Sequence, residues 1–350
     1  MDLRTTVLDR IVVLAQAARM TPTRTPHPTR ARRPSVVAAG LAAAAAVALP
    51  AAACATDDAP RPPSTTASPT TSPDGTPSAS SPAAADPAAA VRGRLAALEE
   101  ERDARLGVYA VDTGTGRSVA YRGGERFAYA STIKALAAGA VLDDLSRPEL
   151  RERVRWTEED LVEYSPVTEL HVEDGLTVRQ LIDAAITVSD NTAGNLLFDL
   201  VGGPGALDAA LVDDVGDRTT EVVRREPDLN TAVPGDPRDT TTPRALATSL
   251  GRYVLGDVLP AADRRLLEAT MRRTETGDAL IRAGVPQGWR VGDKTGSAGY
   301  GTRNDVAVVR PPGGDPVLVA VMTTHDEADA ATDDALVADA TRVVVDALGS

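Results

Sequence analysis

Only two of the 37 basic residues in this 350-residue chain are lysine, Lys134 and Lys294. A position that keeps lysine against so strong an arginine bias is a candidate for what arginine cannot do: lose its proton, or present a compact ammonium. Ser131-Thr132-Ile133-Lys134 opens an apolar helical run from Ala135 to Leu142. Positions i and i+3 share a helix face, so the Lys134 amine can lie against the Ser131 hydroxyl. A serine in the first turn also stands beside unpaired N–H groups and the positive end of the helix dipole, which favour developing negative charge. A hydroxyl attacks poorly unless a neighbour takes its proton, and here the neighbour is an amine. Lys294-Thr295-Gly296 ends a strand pattern and leads through Ser297-Ala298-Gly299 to the next strand. Glycine in the third place would let a substrate approach an edge strand closely. Ser189-Asp190-Asn191 separates two helical patterns, 177–188 and 192–200, where these residue types also serve as caps. Glu226-Pro227-Asp228-Leu229-Asn230 lies in a turn-rich stretch from Arg224 to Asp239, a compact loop of the kind that often carries a functional group.

Singly these signals are ordinary, since a chain of this length yields roughly one S-x-x-K by chance. In the order S-x-x-K, S-D-N, E-x-x-L-N, K-T-G they resemble the class A serine β-lactamases, whose signatures are partly shared with penicillin-binding relatives. The likeness extends to Leu161–Thr168, Ala185–Thr192, Arg238–Pro243 and Gly292–Gly296, and covers roughly Leu95 to Leu348. The chain departs from some members in having no cysteine in its body, which excludes their disulfides and touches no catalytic group.

The resemblance implies a mechanism. Ser131 would attack the lactam carbonyl and form an acyl-enzyme, its oxyanion held by the Ser131 and Ser297 N–H groups, one such donor being worth about 3 kcal/mol. The acylation base is Lys134, or Glu226 acting through a water. Neutralising an ordinary lysine at pH 7 costs about 4.6 kcal/mol, so Lys134 needs burial and the nearby Lys294 ammonium to push its pKa down. Ser189 would relay the proton to the leaving nitrogen, and Asn191 would bind the substrate's side-chain amide. Glu226 and Asn230 would hold and deprotonate the water that hydrolyses the ester. Lys294, Thr295, Gly296, Ser297 and Arg303 would cradle the substrate carboxylate. Tyr164 would line the entrance or pack within its loop. Asp190 would be structural, Arg224 and Asp239 would pair across the loop ends, and the Glu226-Pro227 bond would be cis. No metal or cofactor is called for, and the expected partner is a small β-lactam met by a monomer. A D-Ala-D-Ala peptidase shares the nucleophile and lysines, and a non-catalytic β-lactam sensor is a third reading; neither has a use for Glu226 with Asn230.

The elements that must position these groups follow from periodicity. Val91, Leu95 and Leu98 at helical spacing give a first helix, before strands at 107–112 and 117–121 joined by Thr113-Gly114-Thr115-Gly116. The middle, from Ser131 to about Arg273, is helical in pattern. Strand patterns return at 289–294, 303–309 and 317–323, and a closing helix carries Leu336, Ala340, Val343, Val344 and Ala347 on one face. The fold class is therefore α/β (α+β): an antiparallel sheet from both chain ends flanked by helices, with an inserted all-helical domain and the site between them. The sheet part would comprise residues 89–128 and 274–350, the helical part 129–273.

Composition limits the alternatives. From Cys54 onward 30 basic residues face 48 acidic ones, a body that would repel phosphates rather than bind nucleic acid. One cysteine and three histidines leave little material for a metal site. Residues 1–53 read as a signal peptide, with a start at Met20 the better fit: arginines through Arg33, an apolar run from Val36 to Leu49, then Ala51-Ala52-Ala53 before Cys54. Acylation of Cys54 would make the mature protein a lipoprotein, plain A-x-A cleavage would secrete it, and Arg32-Arg33 also permits twin-arginine export. Residues 54–88, rich in Pro, Ser, Thr and Ala, cannot bury enough surface to offset their ordering entropy and read as an extended tether. The body is thus expected outside the cytoplasm, membrane-anchored or secreted.

Overall fold

The computed structural model describes residues 87–349, so the signal segment 1–53, Cys54 and nearly all of the 54–88 tether lie outside the described residues. The first described element is helix α1 (Pro87–Glu101), which begins two residues before the anticipated body. Proline at its first position suits a helix start, because its missing N–H would be unpaired there anyway.

Strands β1 (Arg105–Asp112) and β2 (Ser118–Tyr121) form the first hairpin. Its turn is tied by Asp112 Oδ1, which accepts from the N–H groups of Gly114 and Thr115. After the short strand β3 (Phe127–Ala128), a single 3₁₀ turn, Ala130–Thr132, leads into α2 (Ile133–Asp144). Ten consecutive residues of α2, Ile133 to Leu142, are buried. A helix apolar on all sides belongs at the centre of a core, and α2 is the axis of the helical region. Strands β4 (Arg153–Val154) and β5 (Leu176–Thr177) pair as a two-residue ribbon. Helix α3 (Val178–Thr187) starts with a reciprocal Thr177–Gln180 capping box, and α4 (Asn191–Val201) is capped by Asp190. Then follow α5 (Pro204–Ala210), β6 (Thr240–Thr241), which pairs with β3, α6 (Pro243–Val254), α7 (Ala261–Met271) and the short α8 (Ile281–Gly284). The middle is therefore helical with two small ribbons, each too short for a period-two pattern to register.

Strands β7 (Arg290–Ser297), β8 (Arg303–Arg310) and β9 (Val317–Thr324) precede α9 (Asp334–Gly349). The five-stranded sheet has the order β2-β1-β9-β8-β7, with β1 lying antiparallel to β9 from Arg105↔Thr324 to Asp112↔Val317. The two ends of the described chain thus build one sheet, with β7 at its free edge. Alternation sends Leu318, Ala320 and Met322 of β9 into the helical core, and Val317, Val319 and Val321 into a second core under α1 and α9. Both faces are covered, which is why β9 reads as an unbroken apolar run.

One difference from the sequence pattern bears on the site. Strand β7 does not end at Lys294 but continues through Ser297, so Lys294-Thr295-Gly296 is paired strand and not turn. Its pairing with β8, Ser297↔Arg303 included, holds that segment straight.

Candidate active site

Ser131 lies in the 3₁₀ turn, two residues before α2, between the helical core and the edge strand β7. Ala130, preceding it, has φ +50°, and Ser189 has φ +62°, left-handed conformations uncommon outside glycine. Backbone held this way marks a site where local preference has yielded to position.

The Ser131 hydroxyl meets two groups. Lys134 Nζ donates to Ser131 Oγ at 2.9 Å, and Ser131 Oγ donates to Glu226 Oε1 at 3.1 Å. Lys134 and Glu226 are themselves an ion pair at 3.0 Å, both side chains wholly buried. Lys134 Nζ also donates to Asn191 Oδ1 at 2.6 Å and to the Ser189 carbonyl at 2.8 Å. Its stem passes Gly194 of α4, where a Cβ would lie 2.6 Å from Lys134 Cε, so a larger residue there would make the lysine stem shift. Burial pushes the Lys134 pKa down, and the Glu226 charge pulls it back up.

Lys294 Nζ donates to Ser189 Oγ at 3.0 Å and to the Thr295 carbonyl at 2.8 Å. Without a carboxylate in ion-pair contact, it is pushed down to about 7, by burial first and by the Lys134 ammonium second. Ser189 thereby bridges the two lysines, since Lys134 Nζ also reaches Ser189 Oγ at 3.4 Å.

Glu226 is fixed at every atom. Its N–H donates to Asn195 Oδ1 and its carbonyl accepts from Asn195 Nδ2, both at 2.9 Å, and Asn230 Nδ2 donates to Oε2. The Glu226-Pro227 bond is cis. Asn230 Oδ1 is buried with no protein donor. At the loop base Arg224 pairs with Asp239, which also accepts from the N–H groups of Val223 and Arg224 and, at 2.9 Å, from the Tyr129 hydroxyl. Asn195 stood in a helical run that no sequence signal singled out. Its spacing of four from Asn191 was the one available hint.

Of the remaining candidates, Asp190 caps α4 and binds the N–H groups of Val167 and Thr168, a structural post. Asn191 is committed on both sides, its Nδ2 donating to the Glu163 carbonyl at 2.8 Å. Thr295 shares a hydroxyl contact with Thr276 at 2.6 Å. Arg303 donates through Nη1 to Ser297 Oγ at 2.7 Å and through Nε to Asp334 at 2.6 Å, an anchor 31 residues away that sequence reading missed. Tyr164 is 58% exposed with φ +63°, so it is not packed into its loop. Gly296 has a different reason from the anticipated one. A Cβ there would lie 3.0 Å from both Ala130 Cβ and the Tyr129 carbonyl and 3.2 Å from Ser131 N. The glycine admits the nucleophile's own turn against β7.

A hydroxyl held between a buried amine and a carboxylate, at the meeting of a helical core and a sheet edge, is the apparatus of a serine acyl-transfer enzyme. The comparisons agree with that class. Residues 90–348 match the model of the "Beta-lactamase enzyme family". The chain is 57% identical over 260 residues to a β-lactamase of Amycolatopsis lactamdurans, covering 74% of this chain and 86% of that protein. Among solved structures it is similar to a halotolerant bacterial β-lactamase (TM-score 0.72, 54% identity, 73% of this chain and 98% of that one). It is also similar to the class A β-lactamase from Clostridium kluyveri DSM 555 (TM-score 0.74, 44% identity, 75% of this chain and all of that one). The chain belongs to the β-lactamase enzyme family, class A.

Proposed function

We infer that the protein opens the β-lactam ring of penicillin-type antibiotics through an acyl-enzyme on Ser131, and so confers resistance. The observation that carries this reading is the hydroxyl of Ser131 in contact with both Lys134 and Glu226. Ser131 Oγ attacks the carbonyl while its proton passes to Lys134 or, through a water, to Glu226; both bases are in place. Ser189, touching both lysines, returns a proton to the leaving nitrogen. The N–H groups of Ser131 and Ser297 hold the oxyanion. Lys294, Thr295, Gly296 and Ser297 of β7, with Arg303 of the adjoining β8, receive the substrate carboxylate. Asn191 meets the side-chain amide and Tyr164 the entrance.

Deacylation needs a water and a base within hydrogen-bond reach of it. Glu226 Oε1 faces the nucleophile, Asn230 steadies Oε2, and the free lone pairs of Asn230 Oδ1 supply an acceptor for that water. A D-Ala-D-Ala peptidase or a β-lactam sensor gains nothing from a glutamate clamped in this way. Turnover of a chromogenic cephalosporin tests the reading: many equivalents hydrolysed per enzyme support it, and a single equivalent consumed refutes it. We further propose that the chain is exported and works as a monomer, anchored through acylated Cys54. Mass spectrometry of the mature N-terminus should show a diacylglycerol-bearing Cys54; an unmodified N-terminus further along would mean plain secretion.

A further inference from the structure

Two buried charged groups that this reaction leaves unused lie on the lysine-bearing strand and on its neighbour. Asp293 on β7 and Asp305 on β8 are both wholly buried. Thr295 faces Asp305 and Asp293 faces Ala307, so the two aspartates are diagonal neighbours on one face of the sheet. Lys294, between Asp293 and Thr295, points to the opposite face. Their partners are few. Arg282 Nε donates to Asp293 Oδ1 at 2.7 Å, and the Ile281 N–H donates to Asp305 Oδ2 at 3.1 Å. The other oxygens, Asp293 Oδ2 and Asp305 Oδ1, are buried with no hydrogen-bond partner among the described residues. Gly277 closes over the first of them, since a Cβ there would lie 2.0 Å from Asp293 Oδ2. Among the described residues Asp293 alone has a cation in contact, Arg282, and each carboxyl has one orphaned oxygen. Buried carboxylate oxygens left unpaired are strongly unfavourable, and like charges in one site cannot both persist.

We propose that Asp293 and Asp305 hold one proton between them, in an O–H···O bond joining the two orphaned oxygens, and that the single remaining negative charge positions Lys294 as an ammonium for the substrate carboxylate. One donor then satisfies both oxygens, and the pair carries one charge against Arg282. The surrounding charges agree. Burial raises both carboxyls, Asp293 to about 6 and Asp305 well above the ordinary range, where the Asp293 charge adds to the effect. Arg282, Lys294 and Arg303 oppose the rise, and Asp278 reinforces it at Asp293. The pair in turn pulls the Lys294 pKa upward, against burial and Lys134. Neither aspartate touches the reacting atoms, so both are positioning residues.

Carbon-13 NMR of the wild-type chain labelled at aspartate carboxyls tests the shared proton without reference to activity. One aspartic acid should remain protonated at about pH 7, well above an ordinary aspartate's pKa, and its signal should vanish in Asp305→Asn. Full ionisation of every aspartate at that pH would overturn the proposal. The positioning role rests on the proposed hydrolysis and has its own readout, the alkaline limb of kcat/KM. Asp305→Asn keeps both the bond and the single charge, so its limb should stay in place. The double variant Asp293→Asn with Asp305→Asn removes the charge, Lys294 then loses its proton more readily, and the limb should move down by about half a pH unit or more. A limb that does not move in the double variant would overturn the positioning role.

Discussion

Lys134 and Lys294 are equally buried, yet they answer to different neighbours. Lys134 was expected to be pushed toward losing its proton by burial and by Lys294; burial does lower it, but the charge in contact is Glu226 at 3.0 Å, which restrains the fall. The Lys134 charge instead acts on Lys294, which stands near 7. In the proposed carboxylate cradle, Lys294 sheds its proton as pH rises through about 7 and a cation is lost, so KM for penicillins should climb from about pH 7 to 9. Arginine cannot shed its proton, and Lys294→Arg should therefore show a flat KM over the same range. A wild-type KM independent of pH would remove Lys294 from carboxylate binding. The residue types of the site were legible because the chemistry demands them: a hydroxyl, two amines, a carboxylate and amides. What supports them was not. Asn195 clamps the Glu226 backbone and Asp334 anchors Arg303, but a lone Asn or Asp in a helix carries no local signature of a distant partner.

Elements position these groups through close approach and capping. Gly296 brings β7 against the Ser131 turn, and a methyl group there would meet backbone at 3.0 Å. Gly296→Ala should push the strand off the nucleophile and lower kcat by about tenfold or more, since small misplacements at a reacting centre are costly. Near-wild-type kcat would contradict this account of the glycine. Asp190 accepts from Ala193 at the start of α4 and from Val167 and Thr168 of the preceding loop. Asp190→Ala should cost about 3 kcal/mol in urea unfolding, more than a surface cap, because it strands buried donors as well. Loss of under about 1 kcal/mol would mean the loop donors find other partners. The main strands and helices could be read from periodicity within a few residues. Strand β7 was cut short because Lys294, Thr295 and Gly296 look like turn residues; tertiary pairing with β8 overrides that preference.

At the scale of the whole molecule, the sheet joins the two ends of the described residues through β1 and β9, and the inserted helices present Ser131, Lys134, Ser189 and Asn191 to the edge strand. Strands at both ends of a helical middle made that plan visible in advance, while the strand order was not, because register depends on contacts more than 200 residues apart such as Arg105↔Thr324. We propose that the residues from α1 onward suffice for catalysis. Limited proteolysis of the mature protein should trim it to about Pro87 with full activity, and lost activity would contradict independence from the tether. The central claim is that one serine is acylated by one set of groups and released by another. In the proposed mechanism acylation uses Ser131, its neighbouring amine and the oxyanion donors, whereas release uses Glu226, Asn230 and a water. Intact-protein mass spectrometry of Glu226→Ala mixed with penicillin measures that division directly. The account predicts a long-lived adduct of one penicillin on Ser131; turnover at the wild-type rate with no adduct would contradict it.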